Sequence, residues 1–228
     1  MLIWISGSVS PQVIRDRILN DLNWQGKIVE WLEAAHVGEF LTGSLQDVKR
    51  NVDEKSESDL YVDPTMVLPV SPPLRGCSVE HADGCSSCSR TRSWWEYFRE
   101  TVDDLFLKSN VHDCDRNRNK DGTFSKKQTY VNCRDNKFKR CRARFPRELH
   151  ETTRVDPATG ALALKKGEAW INTMTPLLTY IMGCNTDVTS LLSGTAVKAV
   201  IVYVTDYITK PGLKTHVVFD AIRTVITR

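Results

Sequence analysis

Apolar positions recur at helical spacing over several stretches of the chain. Val13, Ile14, Ile18 and Leu22 come after Ser10-Pro11, a capping serine with proline at the first helical position. Ile28, Trp31, Leu32 and Ala35 predict a second helix from near Trp24 to Ala35, with Gly38 at its end. Trp94, Phe98, Val102, Leu105 and Phe106 form the apolar face of a third, from Ser93 to Ser109. Met1 to Ile5 reads as a buried strand, and shorter strands are expected at Ala161–Leu164 and Ala169–Thr173. Asp156-Pro-Ala-Thr-Gly160, just before the first of these, is a turn signal. Leu177–Met182 fits a helix or a strand. Thr195–Thr209 predicts a helix ended by Pro211-Gly212, although its valines also suit a strand, and Phe219–Ile226 predicts a last helix.

The stretches between are polar. Ser44 to Ser58 is charged, and Pro64, Pro69, Pro72 and Pro73 punctuate the residues after it. Four segments result: a core-forming start over 1–46, a surface connector over 47–76, a Cys/His-rich basic insertion with one helix over 77–147, and a second core-forming part over 148–228. A core strand that opens at Met1 further suggests that the chain begins inside a longer protein.

Charge changes the picture. The net charge is only +3, but twelve Lys or Arg residues lie between Arg116 and Arg147 against two acids, while Asp47 to Asp63 is acidic. Lys126, Lys127, Lys137, Lys139, Arg140, Arg142 and Arg144 are the candidate contacts to an anionic partner, nucleic acid above all. No run is long and apolar enough to span a bilayer, so no membrane partner is expected.

The seven cysteines are clustered, which in a reducing compartment points to metal ligands. Cys77, His81, Cys85 and Cys88 are spaced C-x3-H-x3-C-x2-C; His112, Cys114, Cys133 and Cys141 are spaced H-x-C-x18-C-x7-C. Structural zinc takes four thiolate or imidazole ligands. Cys85 and Cys88 fit either with their own neighbours or with His112 and Cys114, across the intervening helix. Cys184 stands apart as a small buried residue.

Tyr203, Tyr207 and Lys210 fall on one face of the expected 195–209 helix, beside a core stripe of Val197, Ile201, Val204 and Ile208. A phenol ionises near pH 10, so it needs a metal or a nearby cation to attack a phosphodiester. Packing is the competing explanation for such a pair.

Several elements in order resemble the Rep region of Helitron transposon proteins, the helitron helicase-like domain. They are the opening strand, Cys141-Arg-Ala-Arg-Phe-Pro-Arg147, Asn172 to Pro176, Cys184-Asn-Thr-Asp-Val188 and Tyr203-Val-Thr-Asp-Tyr207-Ile-Thr-Lys210. The resemblance implies an α+β fold of the HUH-endonuclease type: an antiparallel sheet flanked by helices, here with a zinc-binding insertion. It implies rolling-circle initiation, with single-stranded DNA nicked and transferred by Tyr203 and Tyr207, assisted by Lys210. A Mg or Mn ion on a His-x-His pair, a helicase domain in the full-length protein and a nuclear location are implied as well. This chain contains no His-x-His and no G-x4-G-K-[ST], and Asp206 stands where the family often has a basic residue. The expected fragment is therefore inactive in nicking. The alternatives are a zinc-stabilised nucleic-acid-binding module without chemistry, or a decayed transposon product.

Overall fold

The computed structural model describes residues 7, 9–74, 77, 85–114, 133–189, 198, 200–202 and 204–205. Its organising element is a long helix at the centre of the sequence. Phe98, Val102, Leu105 and Phe106 repeat at helical spacing, and all four are buried. The helix is longer than this apolar stripe. It runs over Ser86–Asn110, 25 residues, because the polar first two turns contain no breaker.

Among the described residues, three α-helices come before it. The first, α1 (Pro11–Asn20), starts as its sequence predicts, with the Ser10 hydroxyl accepting from the Val13 amide and proline in the first turn. Asp21 ends α1 and caps α2 (Leu22–Ala35), its carboxylate accepting from the Trp24 amide at 3.0 Å. The two helices pack together around Ile18, which is fully buried.

The third helix overturns a sequence expectation. The polar stretch expected to start a surface connector forms α3 (Leu45–Ser56). Its reciprocal cap is Ser44 with Asp47: the serine oxygen accepts from the Asp47 amide, and the aspartate accepts from the Ser44 amide. Val48 and Val52, one turn apart, give it a narrow buried face. A 3-10 turn comes next, at Pro64–Met66.

The long helix is thus α4, and α3 packs against it. Also against it lies α5 (Pro176–Met182), which resolves the ambiguity at 177–182 in favour of a helix. Proline opens α5, and Gly183 closes it at φ +58°, the left-handed cap that favours glycine. Phe40, Val48, Val52, Phe98, Val102, Phe106, Ile171, Met174 and Tyr180 form one core cluster. Asp103 is buried beside it. Its carboxylate ties down the 40–43 loop, accepting from the Leu41 and Thr42 amides, each at 2.8 Å, and from the Thr42 hydroxyl.

The fold is α+β, but its sheet is small. Strands β1 (Arg154–Val155) and β2 (Leu162–Ala163) pair antiparallel across the Asp156–Gly160 turn. The Asp156 carboxylate accepts from the Ala158 and Thr159 amides, and Gly160 takes φ +67°. The expected strand at 169–173 is absent. The Glu168 side chain instead accepts from the Trp170 amide, and the backbone turns. Isolated bridges Val37–Met174 and His150–Lys166 hold neighbouring segments together. A wide HUH-type sheet is therefore not present among the described residues. The strand expected at Met1–Ile5 and the helix at 219–226 lie outside them.

Candidate metal centres

The C-terminal end of α4 delivers the first two ligands. Asn110, the last helical residue, is buried, and its side chain donates to Asn185 Oδ1 and the Thr186 carbonyl and accepts from the Asn172 amide. That anchor fixes where the chain leaves the helix, two residues before His112. The His112 amide donates to the Trp170 carbonyl at 2.8 Å, and its ring stacks on Phe145 at 4.3 Å and 11°. Phe145 belongs to the Cys141–Arg147 segment, so one short element supplies a ligand and the surface that orients another.

His112, Cys114, Cys133 and Cys141 bring four ligand atoms within 4.8 Å of one another. His112 Nε2 lies 3.6 Å from Cys133 Sγ and 3.2 Å from Cys141 Sγ. Tetrahedral zinc, with bonds of about 2.0–2.3 Å, sets its ligands about 3.5–3.8 Å apart. The group fits a single ion with little adjustment.

The electrostatics fit a cation as well. Burial lowers the His112 pKa, and the charges of Arg147 and Arg134 add to this against Asp113, which favours the neutral ring a metal needs. Burial pushes Cys133 up to about 12, helped by the neighbouring sulfurs of Cys114 and Cys141. Cys141 goes the other way: burial opposes its ionisation, but the Phe145 and Ala143 amides outweigh it and lower the pKa. Acidic groups packed face to face divide in this manner, and a bound dication removes the conflict.

A second cluster sits at the opposite end of α4. Cys85 is the residue before the helix, Cys88 lies in its first turn, and Cys77 approaches from the preceding segment, with Cys77 and Cys85 Sγ 3.5 Å apart. A disulfide would hold the two sulfurs at about 2.0 Å, and none of the three cysteines is in one. The amides of Cys88 and Ser87 at the helix start bring Cys85 down to about 6, whereas its hydrogen bond with Cys85 pushes Cys77 up to about 11. His81, the expected fourth ligand, lies outside the described residues.

Among the described residues, Cys85 and Cys88 group with Cys77. Cys85 and Cys88 do not join His112 and Cys114, because α4 holds the two groups at opposite ends of a rod about 37 Å long.

Of the basic candidates, Lys137, Lys139, Arg140, Arg142 and Arg144 are all exposed, on the loop that joins Cys133 to Cys141 and on the segment just after it. Lys126 and Lys127 lie outside the described residues, as do Tyr203, Tyr207 and Lys210. Lys198, Val200–Val202, Val204 and Thr205 are helical, but Ile201 of the expected core stripe is 59% exposed. Cys184 is exposed rather than buried, because it comes directly after the Gly183 cap at the edge of α5. Of the tryptophans, Trp94 stacks on Phe98 and donates to the Val70 carbonyl, which places it in the packing; Trp95 is half exposed. No helix among the described residues is long and apolar enough to cross a membrane.

Phe138 is a lone aromatic on the Cys133–Cys141 loop, exposed inside a basic run. Comparison with known proteins adds no relative: no family model, curated protein or solved structure matches the chain.

Proposed function

We propose that the chain is a zinc-stabilised module that binds nucleic acid without acting on it chemically. The observation that carries this reading is the closed four-ligand group of His112, Cys114, Cys133 and Cys141 next to five exposed basic residues. Four protein ligands leave no open position for substrate, which is the pattern of structural zinc. The metal would hold the 133–147 segment in shape, where few apolar side chains are available to do so. Lys137, Lys139, Arg140, Arg142 and Arg144 would then present their charge from a fixed backbone to phosphates.

The test joins metal content to binding. Purified chain should contain zinc, and His112→Ala should lose one equivalent by elemental analysis. If all five cations meet phosphates of a single strand, log Kd should change with log salt at a slope near about 3.5. That is about a 100-fold loss of affinity between 50 and 200 mM salt. A salt-independent Kd would sink the reading. Substituting Phe for both Tyr203 and Tyr207 should leave affinity unchanged. A nicking activity through those tyrosines rests on the Helitron resemblance alone.

A further inference from the structure

We propose that Phe138 is a stacking platform for an unpaired base, so that the Cys133–Cys141 loop prefers single-stranded nucleic acid to duplex. This rests on the nucleic-acid reading above and assigns it a contact residue and a strand preference. Phe138 is 71% exposed, although nothing in the loop requires an apolar side chain there. A lone exposed aromatic is ordinary. What distinguishes this one is the rigidity of its mounting and the charge around it.

The loop is closed at its base by the Arg142 amide donating to the Cys133 carbonyl at 2.9 Å. Within it, the Asn136 side chain donates to the Cys133 and Arg140 carbonyls and accepts from the Phe138 amide at 3.0 Å. The Lys139 amide donates to the Asn136 carbonyl, and Lys139 itself takes φ +52°. The backbone carrying Phe138 is thus fixed on both sides, by a ligand at each end and by one asparagine in the middle. A ring held out in advance loses little freedom when it binds.

Lys137 lies with its ammonium 5.2 Å from the ring centroid, and Lys139 and Arg140 are exposed next to it. A flat apolar face flanked by cations matches the alternation of base and phosphate along an unpaired strand. A duplex keeps its base faces stacked inside and offers the loop only phosphates. Phe138 therefore contributes to one ligand and not to the other, while the lysines contribute to both.

The experiment uses the full zinc-loaded chain and fluorescence anisotropy at fixed salt, with labelled oligo-dT, oligo-rU and a DNA duplex of equal length. Phe138→Ala should weaken binding to the single strands by about 5- to 150-fold, the effect of losing one stacked base, and leave the duplex within about twofold. Phe138→Trp should restore the single-strand affinity. The two oligomers separate a DNA from an RNA ligand, and loss on either supports the proposal. Unchanged zinc content in both variants shows that the loop remains built. Equal losses on single strand and duplex, no loss at all, or a Trp variant no better than Ala would overturn the platform. Wild-type chain that binds none of the three would remove the nucleic-acid reading and the platform with it. Salt-sensitive wild-type binding that Phe138→Ala leaves untouched removes the platform alone.

Discussion

Lys166 buries its ammonium without a hydrogen-bond partner among the described residues. Burial, with Arg147 nearby, brings its pKa down to about 8, against partial relief from Glu168 and Asp187. The folded pKa lies below the unfolded one, so the fold favours the neutral amine. The stability tied to this group is complete above about 10.5 and is lost as pH falls through about 8. At pH 7 the buried charge is a standing cost. Lys166→Met should therefore raise Tm at pH 7 by about 2–4 °C, allowing for partial screening by solvent, and the gain should shrink as pH approaches 10. Melting curves at both pH values check this; an equal gain at the two would contradict the titration. Cys85 makes a second residue-scale prediction. In metal-free chain its alkylation by iodoacetamide should rise with a midpoint near pH 6, while Cys77 stays protected up to about 11. Peptide mass spectrometry resolves the two, and zinc should suppress both reactions.

At the scale of elements, the core depends on α4. Phe106 is fully buried and packs edge-on against Phe40 at 6.2 Å. Phe106→Ala should cost about 3–5 kcal/mol in urea denaturation. Ser44→Ala removes half of the α3 cap and should cost about 1 kcal/mol. A larger loss for the serine than for the phenylalanine would place the core elsewhere. The same contrast explains what can be read in the sequence. The stripe on α4 and the Ser10-Pro11 start of α1 are plain, because spacing and capping act locally. The α3 helix is harder to see, because its apolar stripe of Leu45, Val48 and Val52 is narrow and lies in a charged stretch, and the partner helix makes it a face. In the expected 169–173 strand, the Trp170 and Asn172 amides donate to the Glu168 and Asn110 side chains rather than to a neighbouring strand, which no apolar pattern records.

At the scale of the molecule, ligand identity is legible in the cysteine and histidine spacing, but the pairing of ligands is not. The pairing depends on the full 25-residue length of α4, and only the later part of that helix shows in the apolar pattern. Chelation should separate the two layers of organisation. With the metals removed, limited proteolysis should cut within 133–147, whereas the α3–α4–α5 core should keep its far-ultraviolet helical signal. Global collapse on chelation would show that the core cannot stand without the metals. The placement of the thiolate groups also has a mechanical consequence. With a metal bound at each cluster and force applied at those two tips, the molecule is loaded along the axis of α4, and the helix becomes the spring between two rivets. If the rivets hold, unravelling those 25 residues lengthens the chain by about 45–50 Å, a step that a single-molecule force trace would resolve.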